Sequence, residues 1–342
     1  MSMCDLLNKL LILRMPRIGP ARYNDLMARF GDAGAVVASM NIDAAHVDAV
    51  RREMDRAAAS GVHYICDTDD LYPAGLRAIK NHPPVITARG NMETLRRAAV
   101  AIVGTRHASA SGMSFTADLA NAFSSRGVAV VSGMAMGTDT AAHRGALRAS
   151  GDAVTIAVLA GGADYVWPPE NESLYNEILA RGVVVSEMPV GFVPQATNFV
   201  QRNRIIAGLA DKLILGEADL KSGSMTTARF AIEYGREVWA VPSHPSDGRA
   251  AGPNSLISAG LARLCNGAGD FFENGAQNQR QNKNSQKTTS ENILLDKLGP
   301  IAVSESVLAQ LVQKNVSEIK RDLVVLELQG LVRKVDGGYI RL

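Results

Sequence analysis

Between Ala98 and Val241 one pattern recurs: a short run of β-branched and aliphatic residues, then Gly, Ser or Pro, then a segment of helical character. The apolar runs fall at Val100–Val103, Val128–Val131, Val154–Leu159, Val183–Val185, Lys212–Leu215 and Glu237–Val241. They are continuous rather than alternating, which predicts strands covered on both faces, as in a parallel sheet. Segments such as Thr138–Ser150 and Gly223–Gly235 are long enough to cross back over that sheet as helices. The class predicted is α/β, with a Rossmann-like, doubly wound parallel sheet.

Both flanks read differently. Upstream, Met15–Arg22 contains Ile18-Gly19-Pro20 and joins two short amphipathic helices through a hairpin. Downstream, Ile293–Leu342 reads as three helices and a β-hairpin, with Ile319, Leu323 and Leu326 along one helix face and Asp336-Gly337-Gly338 as the turn. Three helices followed by such a wing is the order of a winged helix. Between the sheet and the wing, Asn274–Ser290 carries no side chain larger than alanine that favours burial, so a flexible linker is expected. The expected organisation is a helical SAM-like or helix-hairpin-helix module over 1–60, the Rossmann-like domain over 61–273, the linker over 274–290 and a winged helix over 291–342.

Composition narrows the classes. The 342 residues suffice for one large core with small satellites, and 46% hydrophobic with 20% charged residues is ordinary for a soluble protein. A net charge of +2 does not argue for nucleic acid, so that case must rest on local clustering. Aromatics at 5% argue against extensive base stacking. Cys4, Cys66 and Cys265 are odd in number and far apart, which fits neither a disulfide framework nor a zinc site. The apolar run Leu6–Leu13 is interrupted by Lys9 and falls short of the roughly 20 residues a membrane span needs. No small-residue cleavage site follows it before Arg14 and Pro16, so a cytoplasmic protein without membrane contact is expected.

In an open parallel sheet, ligands bind beyond the carboxyl ends of the strands. The unusual loops of this chain lie there. Gly104-Thr105-Arg106 follows the first run, Ser132-Gly133 with Gly137 and Asp139 follows the second, and Lys221-Ser222-Gly223-Ser224 with Thr227 follows the fifth. Small residues at a helix start let backbone N–H groups reach an anion at the positive end of the helix dipole. Tight βα turns need glycine anyway, so each loop alone has a structural reading as well. Asn198, Arg202, Asn203 and Arg204 precede the apolar stretch Ile205–Leu209 and add cations near the same rim. A guanidinium can clamp a phosphate or lie flat on an unstacked base.

Catalytic signatures are poor. The chain has no Gly-x-Ser-x-Gly elbow and no Gly-x-x-x-x-Gly-Lys-Ser/Thr loop. His107, His143 and His244 read as local hydrogen-bonding residues, and Asp139 reads as a helix cap. Glu217 and Asp219 lie beside the proposed anion site and stay open as acid–base groups.

Together, Val103-Gly104-Thr105-Arg106, Ser132-Gly133-x-Ala135-x-Gly137-x-Asp139-x-x-Ala142-His143, Asn198-Phe199-x-x-Arg202-Asn203-Arg204-Ile205-Ile206 and Ser222-Gly223-Ser224-x-x-Thr227-Ala228 closely resemble the DNA processing protein A family (DprA, also called Smf). The resemblance covers nearly the whole chain. It implies a non-enzymatic homodimer, without cofactor, that binds incoming single-stranded DNA in natural transformation, shields it and helps load the RecA recombinase. It further implies that Arg106 and the Gly133 loop line the DNA pocket, and that Arg202, Arg204, Lys221, Ser222 and Gly223 contact phosphates. Met136 stands where the family often has Arg, and Val200-Gln201 replaces a frequent Pro-Arg, which thins the basic rim. Lys314 and Lys320-Arg321 of the wing are candidates for duplex DNA, although Glu318 and Asp322 dilute that face and favour a protein contact.

Two other readings compete. A nucleotide phosphoribohydrolase on a related fold would use the same rim, with Glu217 or Asp219 as acid, but Leu159–Asp164 departs from that family's Pro-Gly-Gly-x-Gly-Thr loop. An NAD-dependent oxidoreductase would need Gly-x-Gly-x-x-Gly in the first βα turn, which is missing.

Overall fold

The computed structural model describes residues 3–150, 154–272, 294–295, 297–299 and 302–341. The chain divides into two compact units, Met1–Asp270 and Phe271–Leu342. The expected linker, 274–290, lies outside the described residues.

The first unit is built on a nine-stranded sheet in the order β1-β2-β6-β5-β4-β3-β7-β8-β9. The six anticipated runs form its centre as β3 (Ala99–Val103), β4 (Ala129–Ser132), β5 (Thr155–Val158), β6 (Val183–Ser186), β7 (Lys212–Leu215) and β8 (Glu237–Ala240). All of these pair in parallel, as does the short β9 (Arg263–Leu264). Two further strands, β1 (His63–Cys66) and β2 (Val85–Gly90), extend the β6 edge antiparallel. The sheet is therefore mixed, and its parallel centre is doubly wound.

Burial follows the apolar runs. Ile156, Val158, Val183 and Val185 join one core cluster, while Ala157 and Val184 join another with Leu174 and Ile178. Alternate residues of one strand thus feed cores on opposite faces, which is why the runs carry no polar alternation.

The helices follow in order. The N-terminal module holds α1 (Met3–Leu13), α2 (Pro20–Phe30), α3 (Ala33–Ser39) and α4 (Ala44–Ala59), and a short α5 (Ala74–Arg77) precedes β2. Around the sheet run α6 (Ala110–Ser124), α7 (Thr138–Leu147), α8 (Glu172–Arg181), α9 (Ala196–Leu209), α10 (Gly223–Glu233) and α11 (Ala251–Ser258), and α12 (Gly269–Phe272) comes last. The N-terminal module has four helices where the hydrophobic pattern showed two, because α3 and α4 start at the caps Asp32 and Asp43. It does not stand apart from the sheet. Leu10, Leu11 and Val50 share a core with Cys66 and Val85, and Lys9 pairs with Asp67 at 3.0 Å.

In the second unit, α13 (Glu305–Leu311) and α14 (Val316–Leu328) precede the hairpin of β10 (Val332–Val335) and β11 (Gly338–Arg341). Leu308, Ile319, Leu323, Leu326, Val332 and Tyr339 form its core, as expected for a winged helix. Lys314 is paired with Asp322 at 3.2 Å and Lys320 with Glu305 at 3.4 Å, so two of the three cations considered for duplex DNA are partly neutralised.

Candidate nucleic-acid interface

Strand β3 has β4 on one side and β7 on the other, and the order of the sheet reverses there. Loops leaving such a switch point diverge to opposite faces and leave a crevice between them. A cleft of about 800 Å³ opens at this place. Ten anticipated residues line it: Gly104, Thr105 and Arg106 after β3, Arg202 and Asn203 on α9, and Lys221, Ser222, Gly223, Ser224 and Thr227 at the start of α10. Arg106, Arg202 and Lys221 therefore meet in one cavity.

Two of these cations face solvent and one does not. Arg106 and Lys221 are exposed. Arg202 is only 7% exposed, and its guanidinium donates to the carbonyls of Gly133 (2.6 Å) and Val158 and to the Asn203 side chain (3.3 Å). Burial pushes its pKa down to about 10, against the pull of Asp139. Asp139 is itself buried, which raises its carboxyl pKa despite Arg202, and it accepts the Ala135 N–H at 3.3 Å. Arg202 thus ties α9 to the ends of β4 and β5 beneath the floor of the cleft.

Backbone bonds brace the β3 loop. Thr105 N–H donates to the Glu217 carbonyl at 2.6 Å, and its own carbonyl accepts from both the N–H and the hydroxyl of Thr138 at 3.2 Å. Gly137 closes this contact with φ 74°, and a Cβ there would lie 2.5 Å from the Thr105 carbonyl oxygen. At α10, the Ser222 hydroxyl caps the helix through Ser224 N–H, and Asn203 Nδ2 donates to the Gly223 carbonyl at 3.1 Å. The start of an eleven-residue helix is thereby held against the cleft beside Lys221.

Five anticipated residues lie off the cleft. Ser132 is buried and donates to the Ile102 carbonyl at 2.7 Å, stitching β4 to β3. Gly133 lets Arg202 pass, since a Cβ there would sit 2.7 Å from the guanidinium. Gly137 acts through the backbone contact just described. Asn198 caps α9 by accepting Gln195 N–H at 2.8 Å. Arg204 turns to the Glu187 carboxylate and the Asn81 carbonyl, the latter at 3.1 Å. The reason is helical phase: α9 begins at Ala196, and residues two apart on a helix point about 200° apart. Arg202 and Arg204 cannot share a face.

Aromatic rings supply what the count of aromatics had hidden. Tyr165, Trp167 and Phe199 line the cleft. The Trp167 and Phe199 rings lie 4.8 Å apart between centroids, and the Arg106 guanidinium sits 5.4 Å from one and 5.7 Å from the other. Phe199 is three residues before Arg202 and four before Asn203, the spacing of one helix face, and that was the signal for it. Trp167 lies beyond the β5 loop and no local pattern marks it.

The carboxylates are largely committed. Glu217 accepts the Ser109 N–H at 2.7 Å and its hydroxyl, which seats the start of α6, and it does not line the cleft. Asp219 does line it, and accepts the Lys221 N–H at 2.9 Å. His143 is buried, with its pKa pushed down to about 3 by burial, and contacts the Thr155 hydroxyl at 2.7 Å.

The family model for DNA recombination-mediator protein A matches residues 63–275, the whole span that carries this cleft. The chain belongs to the DNA processing protein A family. A DprA-like N-terminal HHH domain matches 4–55 and a DprA winged helix domain matches 279–338. Protein Smf of Escherichia coli (strain K12) is 34% identical over 292 residues, covering 82% of this chain and 77% of that one. The DNA processing protein DprA of Bacillus subtilis (strain 168) is 38% identical over 214 residues, 62% of this chain and 71% of that one. Among solved structures, DprA from Streptococcus pneumoniae aligns with a TM-score of 0.66 and 30% identity over 78% of this chain and 97% of its own. DprA from Helicobacter pylori, described for its single-stranded DNA binding mode, aligns with a TM-score of 0.57 and 29% identity over 62% and 94%. The positions expected to thin the basic rim are surface positions: Met136 is 43% and Val200 49% exposed, and Val200 lines the cleft.

Proposed function

We propose that this cleft holds single-stranded DNA and that the protein is a recombination mediator which shields incoming strands and helps load RecA onto them. The observation that carries the reading is the grouping of exposed Arg106 over two aromatic rings with exposed Lys221 and the start of α10 in one cavity. Rings accept unstacked bases of any sequence, while cations and helix-start amides hold phosphates. A stacked duplex offers no free base faces to the Trp167 and Phe199 pair, which favours the single strand. The family relationship and the similarity to the Helicobacter pylori protein support this reading. It takes the protein to be a non-enzymatic, cytoplasmic homodimer acting in natural transformation, with the winged helix turned to a protein partner rather than duplex DNA.

Fluorescence anisotropy of labelled oligothymidylate and of a duplex of equal length, titrated with salt and with RecA present or absent, tests it. Single strands should bind more tightly, and Lys221→Ala should lower the salt slope by about 0.7, the release expected for one phosphate on a single strand. Equal affinity for both forms, or an unchanged slope in Lys221→Ala together with Arg106→Ala, overturns the reading. Release of ribose 5-phosphate from AMP would instead point to the hydrolase, for which Asp219, unlike Glu217, lines the cleft.

A further inference from the structure

Helix α9 is a wall shared by two clefts. Phe199 and Arg202 face the one at the strand ends, while Gln201 and Arg204 face another of about 780 Å³. The far side of this flanking cleft is the turn from α1 into α2, and Lys80 and Glu233 stand on its rim. The two cavities approach each other at one short stretch: Phe192 lines the flanking cleft, and Pro194 and Ala196 line the other.

The flanking cleft gathers five cations, Arg14, Arg17, Arg22, Lys80 and Arg204, against Glu187 and Glu233. Two of the five are committed. Arg14 makes a bidentate pair with Glu53, both bonds 2.8 Å, and Arg204 is held by Glu187. Arg17, Arg22 and Lys80 are exposed, and none of them has an ion-pair partner among the described residues. That leaves three open cations facing Glu233 alone. Arg17 also holds φ 66°, a left-handed conformation that strains an arginine and that a glycine adopts freely. Beside it Gly19 starts α2 without a side-chain cap, and a Cβ on Gly19 would meet nothing within 4 Å. The backbone there is open to a close approach.

We propose that this flanking cleft takes the phosphates of the same DNA strand after it has crossed the first turn of α9, so that Arg17, Arg22 and Lys80 extend the binding path. The inference rests on the single-strand reading of the strand-end cleft. The approach of the two cavities along Phe192–Ala196 and the excess of open cations favour a continuing polyanion over a second, unrelated ligand. Gln201 sits on the shared wall and adds an amide that can meet phosphate or base.

A length series of oligothymidylates, measured by anisotropy at several salt concentrations, separates the two ideas. The variant Arg17→Ala/Arg22→Ala/Lys80→Ala should bind the shortest oligomers as the wild type does. It should lose the affinity that the wild type gains on lengthening, with the long-oligomer salt slope lower by about 2, or 0.7 for each phosphate contact. The variant Arg106→Ala/Lys221→Ala should be weakened at every length. If the triple variant keeps the full gain and slope while the double variant is weak throughout, the flanking cleft is not on the path and the strand-end reading survives. If the double variant binds all lengths normally, the strand-end reading fails and this inference fails with it. Thermal unfolding of each variant checks that the substituted surface residues leave the fold intact.

Discussion

The guanidinium carbon of Arg106 lies 5.4 Å from the centroid of the Trp167 ring, although 61 residues of chain separate them. The contact joins the loop after β3 to the segment before α8, across the mouth of the strand-end cleft. A cation over an indole face and a base on the same aromatic pair are two uses of one surface.

That geometry gives the first prediction. Trp167→Ala should weaken single-strand binding by about 1–3 kcal/mol, the usual value of one base on an aromatic ring, with little change in salt slope. Arg106→Lys should behave differently, keeping the slope because charge is retained but losing affinity because the planar fork is lost. Anisotropy titrations at three salt concentrations distinguish the two, and identical slopes and affinities for all three proteins would remove the ring and the guanidinium from the site.

Arg202 should matter for stability. Its guanidinium satisfies the Gly133 and Val158 carbonyls and stands close to the buried Asp139 carboxylate. Arg202→Met strands these acceptors and leaves a buried charge uncompensated, a change that costs about 3–5 kcal/mol. Urea unfolding should show the midpoint falling steeply, whereas Arg106→Ala, on the surface, should stay within about 0.5 kcal/mol of the wild type.

Gly137→Ala tests the brace under the loop after β3. At φ 74° alanine is strained by about 1–3 kcal/mol, and its Cβ would press 2.5 Å and 2.6 Å from the carbonyl oxygens of Thr105 and Arg106. Both backbone groups belong to the loop that carries Arg106, so the loop must move. Stability and DNA affinity should fall together. Loss of stability with wild-type affinity per folded molecule would show that the loop tolerates displacement.

Much of this was legible in the sequence, and the failures have physical causes. The six parallel strands could be read because continuous apolar runs such as Val100–Val103 mean burial on both faces. β1 and β2 were missed because they lie outside the repeating strand–helix stretch, and β2 joins the sheet only by pairing antiparallel with β6, far along the chain. The strand-end rule brought the Gly104 and Gly223 loops to the cleft, whereas Gly133 and Gly137 serve close backbone and side-chain packing beside it. Arg204 was misplaced at the rim because the start of α9 was read several residues too late, at the apolar stretch, and helical phase decides which of two arginines faces the cleft. Trp167 depends entirely on tertiary placement, so no spacing could announce it.

His143 supplies a pH test. It is fully buried between α7 and β5, and burial, with a smaller push from Arg202, holds its pKa at about 3 against an ordinary value of 6.5. Between these values the unfolded chain takes up a proton that the folded protein refuses. The stability tied to neutral His143 is therefore complete above about pH 6.5 and is lost as pH falls, at up to about 1.4 kcal/mol per pH unit. Asp139 acts in the opposite direction, because burial raises its carboxyl pKa and the folded state then holds the extra proton. A comparison of variants isolates the histidine. His143→Asn should be less stable than the wild type at neutral pH, having lost the bond to the Thr155 hydroxyl, and the deficit should shrink by about 2 kcal/mol between pH 6.5 and about pH 5. Urea unfolding of both proteins across that range measures it. A deficit that stays constant with pH would mean that His143 titrates alike in the folded and unfolded chains, and that the pocket between α7 and β5 does not exclude its charge.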